Sequence, residues 1–277
     1  MPIVGDGDGA RSRLNERALM RYALISDIHA NLPALEAVLR DVAQRSVAAT
    51  YHLGDLVGYA PWPNEVVDVL RGAGIPGVAG NYDSTVATDY KHCGCQYEDP
   101  RQEELSHVSY AWTRAHVSAG TKSFLGGLPF RIDIRPLGGH VAGPTVTLIH
   151  GNQGLNTVYV HEQRTDAFLG KMGAVLGAQA GDIVCFGHTH VPWNREVDGV
   201  RYVNTGSVGR PKDGDWRAGY ALLDLTANDA TVEVVRVEYD VEKAATAILD
   251  SELPAEFADH LRTGGARHSI AGGRAGR

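Results

Sequence analysis

Five short apolar runs in this chain each end in a polar cluster of Asp, Asn or His, and glycine sits in four of the five clusters. Arg21–Ser26 is followed by Asp27-Ile28-His29, and Ala48–Leu53 by Gly54-Asp55. Ile75–Val78 leads to Gly80-Asn81-Tyr82-Asp83, Val146–Ile149 to His150-Gly151, and Ile183–Phe186 to Gly187-His188-Thr189-His190. Short apolar runs that stop at turn residues read as buried strands. In an open α/β sheet, the crevice beyond the strand carboxyl ends is where ligands bind. Glycine there lets the backbone turn sharply and approach a ligand closely. The chain is thereby constrained to a fold in which several strand ends converge.

Helical spacing lies between these runs. Leu32–Arg45 places Leu35, Val38, Leu39 and Val42 on one face, Asn64–Arg71 runs between Pro63 and Gly72, and Glu103–Val117 is a third helix. Further along, Trp193–Val197 and Val200–Val203 flank Asp198-Gly199, a strong hairpin signal. Tyr220–Leu225 and Thr231–Val237 flank the weaker turn Asn228-Asp229, and helices over Val241–Leu249 and Ala255–Arg262 close the pattern. Alternating strands and helices followed by hairpins predict an α/β fold of two packed sheets with helices outside.

With 277 residues and no linker-like stretch, a single domain over 20–263 is expected. It lies between a flexible arm at 1–19, with Met20 as an alternative start, and a flexible Gly-rich tail at 264–277. The formal net charge is -7 and no long basic run occurs, which argues against a general nucleic-acid or membrane binder. No apolar stretch reaches the roughly 18–20 residues that span a bilayer. The first twenty residues lack the apolar core of a signal peptide. Three cysteines are too few for a disulfide framework, so a cytoplasmic protein is expected.

Seven oxygen or imidazole donors follow the strands: Asp27, His29, Asp55, Asn81, His150, His188 and His190. Such a set suits Mn, Fe, Zn or Ni better than a thiolate metal. One ion takes about four to six ligands, so seven donors with one bridging carboxylate fit two. Two metals about 3.5–4 Å apart can clamp a phosphoryl group. Two divalent ions, Asp27, Asp55 and a bridging hydroxide sum to about +1, which attracts phosphate to an acidic protein. Taken singly, an Asp-x-His is an ordinary turn and a lone His an ordinary hydrogen-bonded one. The ordered set is what carries the reading.

The ordered motifs Asp27-x-His29, Gly54-Asp55, Gly80-Asn81-x-Asp83, His150 and Gly187-His188-Thr189-His190 resemble the calcineurin-like metallophosphoesterases over roughly Arg21–Leu225. Gly54–Pro61 with Asn64-Glu65-Val66, and Asn204–Pro211, are similar to a bacterial and archaeal subgroup near the small phosphodiesterases. The resemblance implies a four-layer α/β/β/α sandwich of two mixed sheets flanked by helices. It implies that Asp27, His29 and His190 hold a first metal, that Asn81, His150 and His188 hold a second, and that Asp55 bridges. Two divalent or mixed-valence ions, Mn or Fe favoured, would supply a metal-bound hydroxide that attacks phosphorus in line. Catalysis is then expected at Asp55, Asn81, Tyr82 and His188.

The family often carries His after the Asn, where this chain has Tyr82. A phenol is a weaker proton donor near pH 7 than imidazolium. Relatives lacking that His favour diesters, so a phosphodiesterase of small substrates, nucleotides among them, is the first expectation. A phosphomonoesterase or protein phosphatase is the alternative, and a non-catalytic scaffold of this fold is a further one. Tyr82 is either a substrate hydrogen-bond donor or a packing residue, and Asp83 is left to cap a helix or orient a neighbour. Asn31 is a candidate phosphate contact or the cap of the following helix. Arg210 and Lys212 are candidates for a phosphate oxygen or a solvated loop. Cys93 and Cys95 are expected to pack a loop rather than form a redox pair or bind metal. His116 and His161 are possible stand-in acids, and Cys185 is expected in the core.

Overall fold

The computed structural model describes residues 20–96, 99–135, 143–226 and 230–266. Strands β1 (Met20–Ile25) and β2 (Ala49–His52) run parallel, and β1 pairs on its other side with antiparallel β8 (Ala218–Leu225), itself antiparallel to β9 (Ala230–Val237). This four-stranded sheet has the order β2-β1-β8-β9. The second sheet is built from β3 (Ile132–Ile134), β4 (Val146–Leu148), β5 (Ile183–Phe186), β6 (Trp193–Val197) and β7 (Val200–Asn204), in the order β3-β4-β5-β7-β6. Parallel β4-β5-β7 is flanked by antiparallel edge strands. Both sheets are mixed, as expected.

Strand alternation separates the layers. Tyr22 and Leu24 of β1 face Ile183 and Cys185 of β5 in the seam between the sheets, together with Leu148, Val203 and Leu223. Ala23 and Ile25 point the other way, into helices α1 (Leu32–Val42), α2 (Pro63–Gly72), α7 (Val241–Leu249) and α8 (Glu256–Thr263). Val184 and Phe186 point outward beneath helix α6 (Asp166–Leu176), through Leu169, Met172 and Leu176. The period-two alternation of side chains produces this division, and three apolar seams make four layers. Burying each such Val, Leu, Ile or Phe contributes about 1.5–3 kcal/mol before chain entropy is subtracted. Cys185 lies in the inter-sheet seam, fully buried.

The structure departs from the sequence reading in several places. The segment 75–78 is no full strand. It touches β2 through one isolated parallel bridge, His52 to Gly77, because Pro76 has no N–H to extend the ladder. Four elements carried no signal strong enough to read: β3, α6, and helices α3 (Asn81–Ala87) and α5 (Ala119–Gly126). Helix α3 consists of Asn-Tyr-Asp-Ser-Thr-Val-Ala, weak helix formers held by tertiary contacts. Helix α6 contains Gly170 and Gly173, and a Cβ at Gly173 would sit 2.3 Å from the Tyr202 hydroxyl. The helix read over Glu103–Val117 is α4 (Pro100–His116), capped by Asp99. Residues 264–266, read with the tail in the sequence, are among the described residues. Gly264 caps α8 in a left-handed conformation, and its carbonyl accepts from the Gly214 N–H. The arm at 1–19, the turn Asn228-Asp229 and residues 267–277 lie outside the described residues.

His52 ends β2 fully buried, and neither ring nitrogen has a hydrogen-bond partner among the described residues. Burial alone pushes its pKa down to about 3. A depressed histidine pKa means the unfolded chain takes the proton first, so stability is full above about pH 6.5 and falls as pH drops toward 3. Between pH 6.5 and 5 the expected loss is about 2 kcal/mol from this residue. In urea denaturation at both pH values, His52→Leu should lose about that much less than the parent; an equal loss would mean the ring is not held neutral.

Candidate active site

The loops after β1, β2 and β7 are laced together by their backbones. Asp27, His29 and Ala30 N–H groups donate to the carbonyls of Gly54 (3.0 Å), Asp55 (3.0 Å) and Leu56 (2.8 Å). The N–H groups of Val208 and Gly209 donate to Ser26 (2.9 Å) and Asp27 (3.0 Å) carbonyls. Asp27, His29, Asp55, His188 and His190 all have positive φ, between 49° and 67°. Non-glycine side chains rarely adopt this region, and it concentrates at functional sites. Two glycines make room for the carboxylates. A Cβ at Gly80 would lie 2.1 Å from Asp55 Oδ1, and one at Gly187 would lie 2.4 Å from Asp27 Oδ2.

Six of the seven sequence candidates fall into two buried groups, Asp27-His29-His190 and Asp55-His150-His188, each with its donor atoms within 4.8 Å of one another. The seventh, Asn81, points its Oδ1 at His150 Nε2 (3.2 Å), which also faces His188 Nδ1 (3.2 Å). His29 Nε2 and His190 Nε2 lie 3.1 Å apart, and Asp27 Oδ1 is 3.3 Å from the latter. Asp55 Oδ2 reaches both groups, 3.8 Å from His29 Nε2 and 3.5 Å from His150 Nε2.

Ring nitrogens on the far side are anchored. The Nδ1 atoms of His29, His150 and His190 lie 3.1, 2.7 and 2.5 Å from the carbonyls of Val57, Leu53 and Arg210. Donation from Nδ1 leaves the Nε2 lone pairs of His29 and His190 aimed at the centre, as a metal-binding imidazole requires, and turns His150 Nε2 toward it as well. Asp27 Oδ2 accepts from Ser26 Oγ (2.7 Å) and the His188 N–H (2.9 Å), whereas Oδ1 is buried with no hydrogen-bond partner among the described residues. An orphaned carboxylate oxygen facing converging imidazole lone pairs is costly unless a cation lies between them. The donors present therefore fit metal ions.

Burial, reinforced by the neighbouring His190, lowers His29 to about 3, and burial holds His188 and His190 well below their ordinary value. These rings are neutral and competent to ligate. Burial also pushes His150 down, but the Asp55 carboxylate outweighs it and raises His150 to about 9, so a metal there displaces a proton. Asp83 accepts from the N–H groups of Gly80 (2.9 Å), Asp55 (2.8 Å) and Leu56 (2.9 Å), capping α3 and fixing the Asp55 loop.

The remaining candidates divide. Tyr82 is buried, its hydroxyl 3.3 Å from Ser106 Oγ and 3.5 Å from Ser109 Oγ of α4, its ring packed on His29, Tyr59 and Tyr110. It also lines the cavity described below, while its hydroxyl is turned toward α4. Asn31 accepts from the Ala34 N–H (3.3 Å) and donates to the Gly209 carbonyl (3.0 Å), so it caps α1 and ties two loops together rather than reaching substrate. Arg210 and Lys212 line a cavity of about 1000 Å³ above the two groups. His116 stacks on Trp112 away from this cavity, while His161 lines it. Cys93 and Cys95 pack into the core as expected and are in addition joined as a disulfide, the redox pair that the sequence reading places second. Asn81 Nδ2 donates to the Cys93 carbonyl (3.0 Å) and meets Cys95 Sγ at 3.3 Å, which orients the carboxamide oxygen toward His150. Tyr159, unnoticed in the sequence, stacks on His188 with ring centroids 3.9 Å apart. Nothing local in the sequence distinguished this tyrosine.

Two mixed sheets flanked by helices, with Asp and His gathered at the strand ends, define a metallophosphoesterase-like protein. The family model of the calcineurin-like phosphoesterase superfamily domain matches residues 20–228, and the chain belongs to that superfamily. It is 30% identical over 264 residues to the uncharacterised protein MJ0912 of Methanocaldococcus jannaschii, covering 87% of this chain and 97% of that one. A metallophosphoesterase from Sphaerobacter thermophilus is similar with a TM-score of 0.68 at 28% identity, over 89% of this chain and 99% of that chain. Protein PH1004 of Pyrococcus horikoshii OT3 shares the fold, with a TM-score of 0.74 at 20% identity over 90% and 100%. No helix among the described residues is long and apolar enough to cross a membrane.

Proposed function

We propose that this chain is a metal-dependent phosphodiesterase that hydrolyses small phosphodiesters, nucleotides among them, at a dinuclear transition-metal centre. The observation that carries the reading is the pair of buried Asp/His groups joined by Asp55 at the floor of an open cavity. Asp27, His29 and His190 would hold one ion, Asn81, His150 and His188 the other, and Asp55 would serve both, with Mn or Fe the favoured metals. When bound, such ions act as Lewis acids on the phosphoryl group and lower the pKa of water to make a nucleophile at neutral pH.

Arg210 supplies the clearest substrate contact. It is 5% exposed, and its guanidinium lies 4.0 Å from the Tyr59 ring centroid and 5.8 Å from that of Phe257. It forms no ion pair or side-chain hydrogen bond among the described residues, and its Nε is buried without a partner. A desolvated, unpaired guanidinium is costly, and the fork geometry matches a phosphate. Lys212 lines the same cavity; burial, with Arg210 adding to it, lowers its pKa to about 7, so near neutral pH it carries only part of a positive charge.

A diester is favoured because Tyr82 turns its hydroxyl to α4 and brings no charge to the centre. A diester monoanion needs less neutralisation than a monoester dianion. With Mn-loaded protein and matched nitrophenyl leaving groups, kcat/KM for the diester is expected to exceed that for the monoester. The reverse order would make the chain a monoesterase. Absence of both bound metal and metal-stimulated turnover would instead favour a scaffold.

A further inference from the structure

The cavity wall beside His188 carries a hydroxyl with no hydrogen-bond partner among the described residues. Tyr159 lies in the loop between β4 and α6, and its ring is stacked on His188 at 3.9 Å with an interplanar angle of 24°. The His161 ring lies nearly parallel to it, at 7° with centroids 5.9 Å apart. The backbone is pinned as well, since Arg164 Nη2 donates to the Tyr159 carbonyl at 3.0 Å. The phenol side chain faces the cavity, and its hydroxyl makes no hydrogen bond among the described residues. Burial raises its pKa, with Tyr59 and the Asp55 carboxylate adding to the effect and Arg210 opposing it.

A rigid aromatic ring costs little entropy to hold, and a hydroxyl with no internal partner in a half-dry cavity is an open donor. Donors aimed at a phosphoryl group, fixed before the reaction, are what lower its barrier. Tyr82, the other tyrosine near the centre considered for substrate, directs its hydroxyl at Ser106 and Ser109. The structure assigns Tyr159 as a substrate-contacting catalytic residue whose hydroxyl donates a hydrogen bond to a non-bridging phosphoryl oxygen in the cavity that Arg210 also lines. No proton changes owner in this step: the phenol stays protonated while the oxygen gains charge. The assignment rests on the dinuclear phosphoesterase reading.

Tyr159→Phe keeps the ring stacked on His188 and deletes only the donor. In the Mn-loaded protein, kcat for a diester is expected to fall about 10–100-fold, the worth of one hydrogen bond to a charged acceptor, with KM changed far less. Metal content should be unchanged. The loss should be the same for good and poor leaving groups, since a non-bridging oxygen is indifferent to the group that departs. A loss that grows with leaving-group pKa would overturn the assignment and move the donor to the leaving oxygen. Unchanged kcat in the variant beside an active parent would overturn it outright. Calorimetric titration of inorganic phosphate into the Mn-loaded proteins needs no turnover, and the variant should bind at least about 5-fold more weakly. Should the parent bind phosphate yet hydrolyse nothing, the phosphodiesterase reading fails while Tyr159 is still tested. Equal phosphate affinity in the two proteins would remove the contact.

Discussion

Stripping transition metals with a chelator is expected to abolish phosphoester hydrolysis and to lower the melting temperature by about 5–10 °C. An ion present at about a hundred times its dissociation constant stabilises the folded state by about 2.7 kcal/mol, and each kcal/mol moves the melting point of a chain this size by about 2–4 °C. The structural reason is local. Without a cation, Asp27 Oδ1 has no partner, and the Nε2 atoms of His29 and His190 face each other at 3.1 Å. His150, held protonated by Asp55, preserves one favourable contact in the metal-free state, so the fold should soften rather than collapse. Readdition of Mn should restore both melting point and activity. A melting curve indifferent to chelator, in protein shown by elemental analysis to have lost its metal, would contradict this account of the buried donors.

Replacing Asp55 by Asn is the sharper test, because the change leaves shape and removes charge. Asp55 Oδ2 lies between the two groups, and Oδ1 accepts from the Tyr82 N–H at 2.9 Å. Asparagine can keep that second bond but offers an amide where a bridging carboxylate is required. Activity should fall at least about 10²–10³-fold, the scale on which a single preorganised electrostatic contact acts. Metal content should drop in both groups together, since one side chain serves both. The His150 pKa should fall with loss of its carboxylate partner, and NMR of the metal-free variant would report it. Retention of both ions at full turnover would remove Asp55 from the bridge. The nearby Gly80 enforces the same geometry, because its missing Cβ leaves Asp55 Oδ1 its place.

Much of the site was legible because its chemistry is written at strand ends. Asp27, His29, Asp55, Asn81, His150, His188 and His190 each follow an apolar run, and the fold brings all seven together. The hairpin at Asp198-Gly199 and the helices over 32–42, 63–72 and 241–249 were equally readable, since their signals are local. The segment 75–78 misled because its apolar pattern is that of a strand while Pro76 denies it a ladder. Helix α3 was hidden because its residues are poor helix formers stabilised by Asp83 and by packing of Tyr82.

The order of residues along the chain thus determined the layer architecture and the donor set: alternation, turn residues and ligand types act over a few neighbouring positions. Tertiary structure alone decided the orientation of side chains within the site. It turned Tyr82 toward Ser106, made Asn31 a strut, tied Asn81 to the Cys93–Cys95 pair, and left Arg210 and Tyr159 facing the cavity. Each of these outcomes depends on contacts with residues remote in sequence, such as Gly209 for Asn31 and His188 for Tyr159, and no local pattern encodes such partners.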